Sequence, residues 1–246
     1  MKPLAKKIVE LLVPSRYQLA FRYAWLNMKG RLDEEMLVAA TLLNRRRRFI
    51  DIGANVGIYS YYFGKKFESV ESFEPISEIT YRISALGASN INIHNVALSN
   101  ELGSLDFYIP IKEGKLAAPL ASLEERDAPF EKRTVSVRTL DSYQYSDVDL
   151  IKIDVEGHEF STIEGAIETI LRCKPLLIVE IEQRHTSKPL EEIFNSIVQH
   201  GYDGFFLAND SLIPLSKFSY GVHQEPYLDD VNSELYINNF IFKAAN

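Results

Sequence analysis

Short apolar runs alternating with helical stretches constrain this chain more than any other feature. Strands are expected at about 47–52, 69–73, 91–95, 148–153, 176–181 and 203–207, and a final one across Leu235–Ile237 and Phe240–Phe242. Helical patterns fall at about 58–66, 77–86, 159–172 and 189–200. Strands that alternate with helices in this way imply βαβ units, a mostly parallel sheet and helices on both faces. Residues 104–109 and 134–138 alternate as a strand pair would. Between them, residues 111–133 are rich in Lys, Glu, Ala and Pro and lack a clear period, so they are expected to form a long functional or mobile loop. Helices are also expected at 3–13, 16–29 and 33–44. No linker divides the chain, which reads as one domain over 1–246, with a helical cap at 1–44 and an α/β core at 45–246.

Composition removes several alternatives. The 246 residues are 46% hydrophobic and 25% charged, as in ordinary globular proteins. A single cysteine, Cys173, at the end of an expected helix, excludes an internal disulfide framework and a cysteine-based zinc cluster. No apolar run approaches the roughly 18 residues of a membrane span. The N-terminal residues lack the apolar core and cleavage site of a secretory signal, so a cytoplasmic protein is expected. A net charge of −7 opposes broad nucleic-acid binding. Arg45–Arg48 reads as a solvated approach to the first strand. In the first helix Leu4, Ile8, Leu11 and Leu12 share one face, suiting a cap packed on the core, with peripheral membrane contact as the alternative.

The chemistry concentrates at Phe49-Ile50-Asp51-Ile52-Gly53-Ala54-Asn55-Val56-Gly57, a strand, a glycine-bearing turn and a helix start. Ligands of such sheets bind beyond the carboxyl ends of the strands. The dinucleotide pattern Gly-x-Gly-x-x-Gly fails, because Asn55 and Ile58 stand where its second and third glycines belong. The phosphate-loop pattern fails at Tyr59 and Lys66. Glu74, at the end of the second strand, can accept hydrogen bonds from both hydroxyls of a ribose. A ribose without a pyrophosphate cradle is the profile of S-adenosylmethionine, and Asp51 could face its ammonium end. A nucleotide-dependent oxidoreductase is the weaker alternative, opposed by the missing glycine.

These residues resemble the FkbM methyltransferase family. The resemblance runs through Phe49–Gly57 with Ser60, Ser72-Phe73-Glu74-Pro75, Asn95-Val96-Ala97-Leu98-Ser99, Arg138-Thr139-Leu140-Asp141 and Leu150–Glu159, and spans about 47–182. It implies a Rossmann-like class I methyltransferase fold, S-adenosyl-L-methionine as cofactor, and methyl transfer to a hydroxyl of a glycan or other secondary metabolite. It also implies that Asn95 and Ala97 lie beside adenine. The expected cofactor residues are therefore Asp51, Gly53, Asn55, Gly57, Glu74, Asn95, Ala97 and Asp154. A non-catalytic cofactor-binding member of a biosynthetic complex is the other reading, weakly opposed by the acids at 154 and 156.

Methyl transfer to a hydroxyl benefits from a base that removes the acceptor's proton. The candidates follow the fourth and fifth strands: His158, His185, Asp154 and Glu156. An unperturbed imidazole is available as a base at neutral pH. Lys152, inside the strand, is expected to pair with a neighbouring acid. Asp154, Glu156, Glu182 and His185 would be an oxygen-rich metal set, but their spacing matches no metal signature, and no metal is assigned.

Overall fold

The structure, a computed structural model, describes residues 12–112, 115–116, 121–124, 129–231 and 233–245. Residues 3–11 of the helix expected at 3–13 and parts of the segment 111–133 fall outside these residues. Two helices, α1 (Ser15–Met28) and α2 (Glu34–Leu42), precede the sheet. The chain then runs β1 (Arg48–Ile52), α3 (Ile58–Phe63), β2 (Ser69–Phe73), α4 (Ser77–Ser84) and β3 (Ile91–His94). A second, smaller sheet follows, formed by β4 (Ala97–Leu98), β5 (Gly103–Lys112), β6 (Lys115–Leu116) and β7 (Phe130–Arg138). The main sheet resumes with β8 (Val148–Ile153), α5 (Glu159–Glu164), α6 (Ile167–Cys173), β9 (Leu176–Glu180), α7 (Leu190–Val198), β10 (Tyr202–Ala208), β11 (Ser211–Pro214), the short α8 (Tyr220–His223) and β12 (Asn239–Ala244).

The eight-stranded sheet has the order β11-β10-β12-β9-β8-β1-β2-β3. The strands from β3 across to β9 pair in parallel. β12 lies between β9 and β10, antiparallel to both. Helices cover both faces, so the central strands are continuous apolar runs rather than alternating ones. Along β1 the pleat sends Ile50 and Ile52 to the face packed by Ile163, Ile170 and Ile193. Phe49 points to the opposite face, with Met36, Tyr59 and Phe63. Burial of these side chains, all but fully enclosed, supplies the main driving force for the fold, on the order of 1.5–3 kcal/mol each.

Four expectations change. The helix expected at 159–172 is two helices, because a Cβ on Gly165 would stand 1.9 Å from the Ser99 carbonyl oxygen; the chain leaving β4 presses on the helix there. Asp141 then receives the amides of Glu168 and Thr169, at 3.0 and 2.8 Å, capping α6. The final strand begins at Asn239, and Tyr236 instead reaches the Glu182 carboxylate. The hairpin of β5 and β7 is longer than its alternation suggested, pairing from Gly103 with Val137 to Pro110 with Phe130. Arg47 and Arg48 are engaged rather than merely solvated: Arg47 pairs with Asp149 at 2.5 Å, and Arg48 with Asp147 at 2.8 Å and with Glu71.

Candidate active site

The carboxyl ends of β1, β2 and β8 meet β4 and the β5–β7 hairpin around a cleft. The turn after β1 forms one side. Gly53, Asn55 and Gly57 all have positive φ, at 73°, 49° and 87°. Gly53 has no alternative: a Cβ there would stand 1.7 Å from the Asp154 carbonyl oxygen. The same crowding recurs one strand over. Gly157, at φ 106°, has the His185 carbonyl 2.2 Å from where its Cβ would be. Three turns, after β1, β8 and β9, are thus stacked backbone to backbone, and glycine permits each approach.

Glu74 stands in the wall at the end of β2. Its carboxylate accepts the amides of Asn55 at 3.1 Å and Ile76 at 3.0 Å, one on each oxygen. Each oxygen keeps further acceptor capacity, and Glu74 lines the cleft. Burial pushes this carboxyl up to about 7, against the lowering effect of the two amides. Phe73, Val96, Ala97 and Leu98 line the neighbouring surface with apolar atoms. A carboxylate with two open acceptor positions beside an apolar slot fits a ribose joined to a purine, and therefore the adenosyl group of S-adenosylmethionine.

Five of the eight residues expected to bind cofactor line the cleft: Gly53, Asn55, Glu74, Ala97 and Asp154. Asp51, Gly57 and Asn95 stand behind its wall. The reason for Asp51 is strand alternation, which turns it to the face of Phe49, under α3. There it accepts the Ser60 hydroxyl at 2.5 Å, and burial raises its pKa. Its location does not suit a contact with an ammonium group in the cleft. Gly57 accommodates α4, since a Cβ would stand 2.3 Å from Ile83. Asn95 donates to the Glu74 carbonyl at 3.1 Å and to Thr80 at 3.3 Å, holding the end of β2 from behind.

Of the candidate bases, Asp154, Glu156 and His158 line the cleft. His158 is the N-cap residue of α5 and is 8% exposed. Its Nδ1 lies 2.7 Å from Glu124 Oε1 and its Nε2 2.8 Å from Ser99 Oγ. Asp154 is held at 2.6 Å by the buried Lys152 ammonium. Burial lowers the Lys152 pKa, but Asp154 and Asp51 outweigh it and keep the lysine charged. His185 is absent from the cleft wall. Its Nδ1 faces Glu156 at 3.2 Å and Glu182 at 3.9 Å. Glu182 also accepts from Arg184 and Tyr236. Among the described residues no group of three or more His, Cys, Asp or Glu side chains is disposed to hold a metal ion.

Ser99, Glu124 and Glu159 were not anticipated as site residues. Ser99 belongs to the quoted Asn95–Ser99 stretch, which was its one signal. Glu124 comes from the aperiodic segment, which offered none. The Ser122 hydroxyl donates to the Glu156 carbonyl at 2.8 Å and so fastens residues 121–124 across the turn after β8. Glu159, pushed up to about 8 by burial, accepts the Gly157 amide at 2.8 Å and braces the same turn from below.

Comparison with known proteins places this geometry. A family model, the methyltransferase FkbM domain, matches residues 51–203. No curated protein matches the chain. The structure is similar to the methyltransferase FkbM of Methylobacillus flagellatus KT, at 19% identity and a TM-score of 0.52, over 80% of this chain and 43% of that one. The chain thus spans less than half the length of that protein. An rRNA methylase of Streptococcus thermophilus is more distant, at 12% identity and a TM-score of 0.47, over 87% of this chain and 95% of that one. An S-adenosylmethionine-dependent methyltransferase of Aquifex aeolicus has 16% identity and a TM-score of 0.42, over 96% of each chain. With more than half its length matched by the family model and a mostly parallel sheet of the Rossmann-like class I type, the chain belongs to the FkbM methyltransferase family and uses S-adenosylmethionine as its cofactor.

Proposed function

We propose that the protein is an O-methyltransferase acting in the cytoplasm, as one catalytic domain, on a hydroxyl of a saccharide or other secondary metabolite. The observation that carries the reading is His158, set in the cleft wall between Glu124 and Ser99. S-adenosylmethionine supplies a methyl group already activated as a sulfonium. Glu74 is the residue that would hold its ribose, and Gly53 and Asn55 shape the turn against it. The acceptor hydroxyl is a weak nucleophile and needs its proton removed as the oxygen attacks.

His158 serves as that base. With the proton on Nδ1 donated to Glu124, the lone pair of Nε2 faces Ser99. For Nε2 to meet the incoming hydroxyl the Ser99 side chain must change rotamer, since turning its proton toward Asn100 Oδ1 at 3.2 Å leaves Oγ in place. Glu124 then balances the imidazolium that forms. A positioned base of this kind contributes roughly 10²–10⁴-fold. Asp154 is less suited, because its carboxylate is already engaged by the Lys152 ammonium at 2.6 Å.

The test incubates the protein with S-adenosylmethionine labelled in its methyl group and with extracts of glycans and hydroxylated metabolites. Mass spectrometry then locates the label. A base-stable methyl ether is the expected product. Label found only on nitrogen or as a base-labile ester would overturn the hydroxyl acceptor.

A further inference from the structure

The outer face of α1 is apolar. Tyr17, Phe21, Ala24 and Met28 follow one another at helical spacing on a single stripe, and three of them are strongly exposed: Tyr17 at 51%, Phe21 at 43% and Met28 at 71%. The opposite face is the one docked on the protein. Leu19 is buried there against Ala54 and Ile83, and Gln18 receives the Tyr81 hydroxyl at 3.2 Å. A surface helix ordinarily turns polar residues outward. Here the outward side also carries an apolar stripe, and Leu12, 72% exposed, lies just ahead of it.

The charge around this stripe runs against that of the whole. Between Glu10 and Asp33 the chain has no acid, but it carries Arg16, Arg22, Lys29 and Arg31, in a protein of net charge −7. Arg16 lies alongside its neighbour, 4.7 Å from the Tyr17 ring centre. Apolar and aromatic side chains on one stripe, in a segment that carries cations and no acids, are the composition of a helix that lies in a membrane interface. A fluid bilayer needs no shape complementarity, whereas a protein partner does.

We propose that α1 docks the protein on an anionic lipid surface, with Tyr17, Phe21 and Met28 entering the headgroup region and the neighbouring cations meeting lipid phosphates or carboxylates. Leu19, on the inner side of the same helix, touches the turn after β1. The bound membrane would therefore sit one helix away from the cofactor turn.

Vesicle flotation tests this with the full chain. Vesicles of phosphatidylcholine alone are compared with vesicles containing phosphatidylserine, and the wild-type protein with Phe21→Glu/Met28→Glu. Both substituted positions are exposed, so the fold should survive. Unchanged S-adenosylhomocysteine affinity and thermal midpoint check that it does. The wild type should float with the anionic vesicles and lose binding as salt rises. The double variant should bind about tenfold less. Equal flotation of the two proteins, or no flotation of either, would overturn the proposal. So would light scattering that shows a wild-type dimer, dissociated by the same substitutions, with no vesicle binding; the stripe would then be an interface between copies.

Discussion

The two walls of the cleft are built in opposite ways. The wall around Glu74 comes from the turns that end β1 and β2, within a few residues of the strands that aim them. The facing wall joins the turn after β8 to Glu124, which reaches His158 across 34 positions of sequence. The first wall is fixed by backbone: left-handed turns, amides bonded to Glu74 and glycines where no Cβ fits. The second depends on side chains, with Ser122 and Glu124 stitching a distant segment to the β8 turn. Rigid backbone suits an unchanging contact, whereas a wall held by side chains can be altered one residue at a time.

Substitutions can separate the two. His158→Ala should have the largest effect, lowering single-turnover methyl transfer by about 10²–10⁴-fold while S-adenosylhomocysteine affinity holds. A drop of less than tenfold would remove His158 from the chemistry. Gly53→Ala, at the seam where the walls touch, should cost at least ~2 kcal/mol of stability, because the methyl would overlap the Asp154 carbonyl and the backbone is left-handed. Denaturant unfolding with an unchanged midpoint would mean the turns can separate freely.

Glu74→Gln acts on the first wall alone. It should weaken S-adenosylhomocysteine binding by about 1.5–3 kcal/mol, the scale of hydrogen bonds to a charged group. The wild type's affinity should also rise as pH increases through about 7, where Glu74 ionises and both its oxygens become acceptors. Calorimetry across that range should find the pH dependence absent in the variant. Stability runs the other way. A carboxyl raised by burial contributes fully below its unfolded pKa, and the contribution is lost as pH climbs through about 7. Binding and folding thus make opposite demands on one group. Parallel pH trends for both would contradict the assignment.

The same division governs how much was legible in the sequence. β2 and β8 fall at their expected positions, since apolar runs buried on both faces leave little choice. The place of Glu74 in the cleft wall was legible because a strand end fixes where its side chain emerges. Asp51 shows the limit: its position beside the turn suggested a ligand contact, but the two-residue period of β1 directs it under α3. His185 shows another, because the turn after β9 directs its ring toward Glu156 and Glu182 rather than into the cleft. The break at Gly165 depends on a carbonyl from Ser99, 66 positions earlier, and no local pattern encodes such a contact.

The placement of β12 has a consequence for how the chain is made. Leu177, Ile178 and Val179 of β9 are wholly buried, with β8 on one side and β12 on the other. The strand that covers that second side is synthesised about sixty residues later. At roughly 5–20 residues per second, the ribosome leaves it bare for about 3–12 s. During that interval residues 176–180 present an apolar edge with unpaired backbone groups, the kind of surface on which nascent chains stick to one another. Slower decoding between β9 and β12 should therefore lower the yield of soluble protein without altering a single contact in the finished fold.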